Sequence, residues 1–370
     1  MSRRLSLPMA ALCYVLSGCA DAVRDVHRIV VIPKGLTHEH WQSVHRGALR
    51  AAEELTARGW PTRIIWDGPL RESDALAQIR IVDRRVSTRV DGIVLAPQHS
   101  QTLIAPVARA VQQGIPVVIM DSGLDAPELY VKYVATDNYH GGWLAAEHLL
   151  NVLRADGKPA PRLILFRYQV GSQSTQLREQ GFEDYVNREI ERQRRAGQPT
   201  ITWLSKDKYA GATKDSALRE AAPLVNRFRD QIDGIFAVNE SSANGMLDAL
   251  RSLGLHRRVR LMGFDSSVPL QQAVRDDDGT GRGEVVGLIL QDPYKMGYYS
   301  VWTLVHHLRG YDVSAGGKVL STGEHLVTRD NIDAPSTREL FDPLMQGQRI
   351  LTPPNFPRRS SWGLPDQGAH

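Results

Sequence analysis

Short apolar runs alternate with amphipathic segments along most of this chain. Each run spans four to six residues and is rich in valine, isoleucine and leucine, which favours β-strands. The segments between the runs are long enough for helices, and such alternation is typical of parallel sheets covered by helices. The pattern therefore predicts an α/β fold with doubly wound parallel sheets. The nine predicted strands are Arg28–Pro33, Thr62–Trp66, Gly92–Ala96, Val117–Met120, Leu163–Phe166, Ile201–Leu204, Ile235–Val238, Leu261–Phe264 and Val285–Leu290.

The first amphipathic segment shows the helical period clearly. Apolar residues recur every three or four positions, and Gly59 follows where a helix commonly ends. The spacing predicts one helix between the first two strands, with its apolar face against a sheet. The residues of this face are Trp41, Val44, Ala48, Ala51, Ala52 and Leu55.

A repeated sequence motif indicates that the chain contains two similar halves. The residues Val90–Ile93 and Ile232–Ile235 both have the form Val/Ile-Asp-Gly-Ile, and each opens a predicted strand. In both halves a helical pattern and a further strand follow, and that strand ends in Asp-Ser, at Asp121 and Asp265. The first and last aspartates are 30 residues apart in one half and 32 in the other. This similarity predicts two lobes built on one βαβ plan.

Two such lobes would share a single cleft, because open parallel sheets bind ligands beyond the carboxyl ends of their strands. We expect residues 28–136 plus 291–325 to form the N-terminal lobe and residues 137–290 plus 326–333 to form the C-terminal lobe. Six prolines interrupt the polar stretch 334–370, which shows no sustained periodicity. This Pro-rich C-terminal tail is expected to be flexible or to lie along the surface.

The amino terminus has the features of an export signal. Arg3 and Arg4 precede an apolar stretch, residues 5–16, that is shorter than the roughly 20 residues needed to span a bilayer. No other stretch is long and apolar enough for a transmembrane helix. The formal charge falls by two, from +4 to +2, if the signal is removed. So small a surplus argues against nucleic acid as a partner.

The apolar stretch ends in Leu16-Ser17-Gly18-Cys19, which resembles the lipobox of bacterial lipoproteins. The resemblance implies a lipoprotein signal peptide over 1–18, lipidation of Cys19 and a lipid-anchored linker over 19–27. Cys13 would leave with the signal, so no cysteine remains for a disulfide or a thiolate metal site. We expect an exported protein of the periplasm or cell envelope that contacts the membrane through its lipid anchor only.

Polar and aromatic residues follow the predicted strands in an order that resembles the ribose-binding group of periplasmic sugar-binding proteins. The loop after the first strand carries Lys34 and then His38-Glu39-His40-Trp41, where the family usually has aromatic residues. The resemblance covers most of the chain from Val30 to about Thr328 and implies two lobes of the type I periplasmic binding protein fold. Its later markers are Val118-Ile119-Met120-Asp121-Ser122, Arg178 before Gly181-Phe182, Tyr209, Asn239-Glu240, Gly263-Phe264-Asp265, and Gln291.

The resemblance also implies roles for these residues. Asp121 would accept hydrogen bonds from sugar hydroxyls, Arg178 would reach back to them, and the ring of Trp41 would stack on sugar C–H groups. This chain has Ser122 where the family usually has arginine, so ribose itself is not assigned. The predicted ligand-binding residues are Lys34, His38, His40, Trp41, Asp121, Ser122, Arg178, Tyr209, Asn239, Asp265 and Gln291.

These features together predict a solute-binding lipoprotein. It would capture a small polar ligand, with a monosaccharide as the first choice, and present its closed form to an ABC-type importer. One alternative is a sensor that reports to a chemoreceptor or a sensor kinase. Another is a metal-binding lipoprotein in which His38 and His40, together with Glu39 and His45, hold zinc.

The sequence lacks the motifs of several other protein classes. The turn after the first strand, Pro33-Lys34-Gly35-Leu36, is not a dinucleotide-binding loop, and neither a Walker loop nor a Gly-x-Ser-x-Gly elbow occurs. Asp121 and Asp265 could serve as an acid–base pair, but no motif of an enzyme family accompanies them. Repressors with this core carry a helix-turn-helix before the first strand, where this chain has the signal. We therefore expect neither an enzyme nor a DNA-binding protein, and no cofactor.

Overall fold

The computed structural model describes residues 26–276 and 283–359, and within them the chain forms two sheets of six strands. The first sheet contains β1 (His27–Ile32), β2 (Thr62–Trp66), β3 (Gly92–Leu95), β4 (Val117–Met120), β5 (Lys132–Ala135) and β11 (Val319–Ser321). The second contains β6 (Arg162–Arg167), β7 (Thr202–Tyr209), β8 (Gly234–Ala237), β9 (Arg260–Phe264), β10 (Val285–Gln291) and β12 (Glu324–Val327).

Both sheets have the same plan. Their orders are β2-β1-β3-β4-β5-β11 and β7-β6-β8-β9-β10-β12. All described pairs are parallel except that of β12, which runs antiparallel to β10. The fold is thus α/β with two lobes, as predicted. The helices are α1 (Glu39–Ala57), α2 (Ala75–Ser87), α3 (Ile104–Gln112), α4 (Asn138–Ala155), α5 (Gln173–Arg195), α6 (Lys214–Arg227), α7 (Glu240–Ser252), α8 (Val268–Arg275), α9 (Pro293–Leu308), α10 (Pro335–Arg338) and α11 (Pro343–Gln348).

The nine predicted strands are all present, and the apolar face of α1 is buried as expected. Three further strands, β5, β11 and β12, were not predicted. Each has only three or four residues and includes polar side chains, so it lacks the apolar run that marks the others. No helix among the described residues combines the length and apolar character that a bilayer span requires.

The two halves of the repeat have matching backbone contacts. Asp91 Oδ2 accepts a hydrogen bond from Arg28 N at 2.6 Å, and Asp233 Oδ2 accepts one from Arg162 N at 2.8 Å. The strand-end residues Asp121 and Asp265 have φ values of 62° and 66°, a region that residues other than glycine rarely adopt. Such strain concentrates at functional sites. The repeat is therefore structural, and it places two aspartates at equivalent points of the two lobes.

The chain crosses between the lobes at three places in the described residues. After β5 it enters α4, which packs on β9, β10 and α5 of the second lobe. After β10 it returns through α9, which packs on α1 and on β3 to β5. The third crossing joins β11 to β12. Adjacent connections of this kind form a hinge about which lobes can rotate. The exact lobe boundaries given above stay a prediction.

Paired glycines bring helices into close contact in both lobes. A Cβ atom on Gly47 of α1 would lie 1.9 Å from the carbonyl oxygen of Tyr294, and one on Gly297 of α9 would lie 2.0 Å from that of Val44. The pair α4 and α5 has the same reciprocal arrangement at Gly142 and Gly181. The helix that crosses into each lobe is therefore held backbone to backbone against the first helix of that lobe.

We predict that Gly47→Ala lowers the free energy of unfolding by about 1–3 kcal/mol, because the new methyl group must push α1 and α9 apart. Urea unfolding followed by circular dichroism would measure the change. Gly347→Ala is the control, since a Cβ there meets no heavy atom within 4 Å. Equal stability of both variants and the unmodified protein would contradict this account of the helix pair.

The C-terminal segment, residues 328–359, lies along both lobes. Leu340 and Phe341 pack against the core of the second lobe. Phe356 is buried beside His306 of α9, which belongs to the first lobe. Between these contacts, Arg349 forms a bidentate ion pair with Asp292 at the second crossing, with N–O distances of 2.7 and 2.5 Å. The segment thus connects both lobes beside the hinge.

Candidate functional site

A polar cavity lies between the lobes, where the carboxyl ends of the two sets of strands face each other. It contains about 350 Å³ of empty space, part of which is open to solvent. Both lobes contribute to its walls, and nearly all of the side chains are polar. The lining residues are Lys34, His38, His40, Trp41, Glu72, Asp121, Tyr168, Ser174, Thr175, Arg178, Asn239, Glu240, Asp265 and Gln291.

The wall from the first lobe is centred on Asp121. Its Oδ2 atom lies 2.9 Å from Lys34 Nζ, and its Oδ1 atom lies 3.2 Å from His40 Nε2. Burial acts to raise the pKa of Asp121, but the charge of Lys34 and the contact with His40 outweigh it and hold that pKa well below its usual value. Asp121 is therefore a carboxylate, oriented on both oxygens and able to accept further hydrogen bonds.

The wall from the second lobe is centred on Asp265. Its Oδ1 atom accepts a hydrogen bond of 2.6 Å from Gln291 Nε2, and its Oδ2 atom lies 3.3 Å from Arg178 Nη1. Arg178 is fixed in turn by Asn138 Oδ1 at 2.8 Å and by the ring of Phe264, whose centroid is 3.7 Å from the guanidinium carbon. Each lobe thus presents one aspartate that cationic and amide groups orient toward the same space.

A third buried carboxylate, Glu72, joins the lobes directly. Its Oε1 atom accepts hydrogen bonds from Trp41 Nε1 at 2.6 Å and His38 Nδ1 at 2.9 Å. Its Oε2 atom accepts one from the hydroxyl of Tyr168, which belongs to the second lobe. Burial lowers the pKa of His38, but the charge and hydrogen bond of Glu72 raise it to about 9 overall. Burial likewise acts to raise the pKa of Glu72, and the opposing effect of His38 brings it to about 2.

Other contacts also hold the lobes together. Lys34 Nζ donates to Ser174 Oγ at 3.1 Å, and Ser174 N donates to Ser122 Oγ at 3.1 Å. Gly123 N donates to the side chain of Gln173 at 2.8 Å. These bonds, with the one between Glu72 and Tyr168, describe a closed arrangement of the lobes.

Nine of the eleven predicted ligand-binding residues line the cavity. Ser122 is buried behind the wall, where its hydroxyl contacts the second lobe. Tyr209 is not brought to the cavity. It ends β7, the edge strand of its sheet, is 40% exposed, and has its ring near the guanidinium of Arg167. Tyr168, at the end of the more central strand β6, lines the cavity instead.

Asn239 has a structural task as well as its place in the wall. Its Oδ1 atom caps α7 by accepting hydrogen bonds from Ser242 N at 3.2 Å and from Ser242 Oγ at 2.6 Å. Its Nδ2 atom donates to Ser241 Oγ at 3.2 Å. Of the amide groups of Asn239, the second N–H is left to donate to a ligand. Asn239 therefore offers a ligand fewer hydrogen bonds than an asparagine side chain can make.

Besides His40 Nε2, which lies 3.2 Å from Asp121 Oδ1, two buried acceptor atoms in the wall have no hydrogen-bond partner within the described residues: Glu240 Oε2 and Gln291 Oε1. Buried polar atoms are nearly always paired, because an unpaired one costs about 1–3 kcal/mol. Both atoms would be satisfied by hydroxyl or N–H donors of a bound molecule. The cavity is therefore suited to a ligand that carries several hydrogen-bond donors.

Glu240 also predicts a pH effect. Burial raises the pKa of Glu240 to about 7. The charge of His38 acts to lower this pKa, and the negative charge of Asp265 acts to raise it further. The folded protein then retains a proton that the unfolded chain releases above its usual pKa of 4.5, so stability falls as the pH rises from about 4.5 to about 7. We expect Glu240→Gln to flatten this fall, which melting temperatures at pH 5 to 8 would show.

The matched control for this pH profile is Glu191→Gln, whose carboxylate is half exposed in a surface ion pair with Arg195. It should leave the profile unchanged. A Glu240→Gln profile that runs parallel to that of the unmodified protein would contradict the assignment of the raised pKa to Glu240.

The structure separates the histidines of the metal-binding alternative. His38 contacts Glu72, His40 contacts Asp121, and the ring of His45 stacks on Trp66 with centroids 4.3 Å apart. In residues 26–276 and 283–359, no group of three or more histidine, cysteine, aspartate or glutamate side chains is arranged to hold a metal ion. His38 and His40 therefore contact different carboxylates of the first lobe, and His45 packs on Trp66 instead.

Comparison with known proteins places this architecture among binding proteins. The family model of the periplasmic binding protein domain matches residues 29–312. The D-ribose/D-allose-binding protein of Pseudomonas aeruginosa is 26% identical over 288 residues, which cover 76% of this chain and 82% of that protein. The D-allose-binding periplasmic protein of Escherichia coli is 24% identical over 296 residues, which cover 78% of this chain and 85% of that protein.

Solved structures extend the similarity to three dimensions. An ABC transporter solute-binding protein from Agrobacterium vitis with bound D-fucose is 29% identical, with a TM-score of 0.72 over 85% of this chain and 99% of that chain. A carbohydrate transporter solute-binding protein from Agrobacterium radiobacter in complex with D-arabinose is 28% identical, with a TM-score of 0.72 over 86% of this chain and 99% of that chain. The residues matched by the family model include every residue of the cavity wall.

Proposed function

Because the chain belongs to the periplasmic binding protein domain family, we propose that it captures a monosaccharide or similar polyol between its lobes for an ABC-type importer. The observation that carries the proposal is the convergence of Asp121 and Asp265, equivalent residues of the two lobes, on one closed polar cavity. The family consists of substrate-binding proteins, and the proposed action is binding without chemical change.

The chemistry of the wall favours a neutral ligand rich in hydroxyl groups. Asp121, Asp265, Glu240 Oε2 and Gln291 Oε1 can accept hydrogen bonds from a ligand, while Arg178 can donate them. The three N–H groups of Lys34 already face Asp121, Ser172 and Ser174. Opposite charges are already paired within each wall, so the cavity does not need a charged ligand for balance. A sugar hydroxyl both donates and accepts, and it matches such a mixed wall. Trp41 adds an aromatic ring at one end of the cavity.

Closure is the step that converts binding into a signal for the importer. Glu72 and Lys34 of the first lobe contact Tyr168 and Ser174 of the second only when the lobes are together. A ligand that contacts Asp121 and Asp265 at once binds the closed form better than the open one, and this difference alone shifts the population. The importer would then recognise the surface that the closed lobes form.

The family implies export to the periplasm, and we propose in addition that Cys19 anchors the protein to a membrane. Support comes from the lipobox-like residues 16–19, which lie outside the described residues. We expect Cys19→Ala to move the protein from the membrane fraction to the soluble periplasmic fraction and to abolish labelling by a radioactive fatty acid. Unchanged labelling of the variant would refute the anchor.

The test of the proposed function is a binding screen on the exported protein. Calorimetric titration with D-ribose, D-allose, D-xylose, D-fucose, D-arabinose and xylitol should identify at least one ligand with micromolar or tighter affinity, which corresponds to about −8 kcal/mol. Zinc, with a chelator control, tests the metal-binding alternative. Absence of binding to every sugar and polyol, or consumption of the sugar, would contradict the proposal.

A further inference from the structure

A second space, here called the annex, borders the polar cavity on the hinge side of the molecule. The annex contains about 370 Å³ of empty space, part of which is open to solvent, and shares His40, Asp265 and Gln291 with the cavity. These three side chains border both spaces. The annex is therefore adjacent to the proposed sugar site.

The annex differs from the cavity in its chemistry. Leu290 and Pro293 line it from the chain around the second crossing, and Leu340 and Phe341 line it from the C-terminal segment. In the cavity the one large apolar side chain among the lining residues is Trp41. Phe341 and Leu340 both lie beyond residue 312, where the match to the family model ends. This wall is thus contributed by a part of the chain outside the region shared with the family.

A larger groove lies next to the annex. The annex shares Glu39, Ser43 and Phe341 with this groove of about 1090 Å³ between α1, α8 and the C-terminal segment. The side of the cavity near Trp41, in contrast, is closed by the bond between Glu72 and Tyr168. The described contacts thus join the lobes on the Glu72 side of the cavity, and the annex and the groove lie on the Phe341 side.

One buried atom at the border supports occupation of both spaces. Gln291 is 3% exposed, its Nε2 atom is bonded to Asp265, and its Oε1 atom has no partner within the described residues. A donor group of a ligand that extends from the cavity toward the annex would satisfy this oxygen.

We propose that the ligand is a glycoside, a sugar held in the polar cavity whose glycosidically linked second ring occupies the annex and stacks on Phe341. This inference rests on the proposed function and specifies the class of sugar ligand. An aromatic ring stacks on the apolar face of a sugar or on another aromatic ring, so a second sugar and an aryl group share the required chemistry.

Calorimetric titration of the full exported protein tests the inference. The probes are D-xylose, D-fucose and D-allose, the α- and β-phenyl glycosides of each, and xylobiose. At least one glycoside is expected to bind at least tenfold more tightly than its free sugar. Tighter binding of the phenyl glycosides than of xylobiose would identify the second ring as an apolar group, and the reverse order would identify it as a sugar.

Variants connect this preference to the annex. Phe341→Ala should reduce the preference for the glycoside to twofold or less while the affinity for the free sugar stays within twofold. Phe341→Leu preserves most of the packing on the second lobe and should show the same loss, which guards against a misfolded alanine variant. The control is Leu344→Ala, on the same segment but 80% exposed, which should change neither affinity.

Each other outcome overturns the inference in a recognisable way. Binding of free sugars with no gain for any glycoside would refute the annex and leave the proposed function intact. A glycoside preference that survives in both Phe341 variants would place the second ring elsewhere. If neither sugars nor glycosides bind, the proposed function fails, and the inference fails with it.

Discussion

Asp121→Asn is expected to weaken sugar binding about 100-fold. The carboxylate is oriented by Lys34 and His40 on both oxygens, and a hydrogen bond to a charged group contributes roughly 1.5–3 kcal/mol. Loss of about 2.7 kcal/mol corresponds to a factor of 100. Asparagine is nearly the same size, tolerates the positive φ of this position and keeps an oxygen that can accept a hydrogen bond from Lys34, so the fold should persist with reduced stability. Calorimetry with the tightest ligand of the sugar panel would measure the change.

Asp265→Asn should have an effect of similar size, because the repeat gives the two aspartates equivalent places in the two lobes. The control is Asp83→Asn, whose carboxylate is 42% exposed in a surface ion pair with Arg109 and should leave the affinity unchanged. Affinities within twofold of the unmodified protein for both cavity variants would show that the ligand does not lie between these two residues.

Arg349→Met is expected to lower the free energy of unfolding by about 3–5 kcal/mol. The ion pair of Arg349 with Asp292 is bidentate, and the side chains are only 12% and 3% exposed. Removal of one partner leaves the other charge buried without compensation, which is the costly way to break such a pair. Asp292 also caps α9 by accepting a hydrogen bond from Lys295 N at 2.9 Å, so it cannot easily turn toward solvent. Urea unfolding would measure the loss.

Arg338→Met provides the comparison, since Arg338 forms a more exposed pair with Asp342 one helical turn away. Such surface pairs contribute about 0–1 kcal/mol. If the two methionine variants lose stability equally, the contact between Arg349 and Asp292 does not fasten the C-terminal segment to the hinge as described.

The sequence pattern could predict the sheets because their strands are continuous apolar runs. It could also identify Asp121 and Asp265, since each follows a buried strand in a repeated phrase. The family resemblance was less successful at Tyr209, because this residue ends the edge strand β7 and does not line the cavity. Tyr168 directly follows the more central strand β6, but the apolar pattern alone does not reveal which strand end faces the cleft.

The sequence pattern could not predict Glu72 or the annex, because both depend on contacts between distant parts of the chain. Glu72 lies six residues after β2 in an irregular loop, and its partners His38, Trp41 and Tyr168 come from distant parts of the chain. Only the folded arrangement brings a histidine and a tyrosine of different lobes to one carboxylate. Phe341 belongs to a polar, proline-rich stretch without periodicity, so nothing in its neighbourhood indicated that it would border a cavity. Glu240 did have a local signal, since it directly follows Asn239.

The central claim is that one ligand joins the two lobes through their equivalent aspartates. A crystal structure of the protein with the tightest ligand of the panel tests it most directly. We predict a sugar ring in the cavity with hydroxyl oxygens within 3.2 Å of carboxylate oxygens of both Asp121 and Asp265, and with the bond between Glu72 and Tyr168 intact. A sugar that contacts only one lobe, or that binds outside this cavity, would contradict the account.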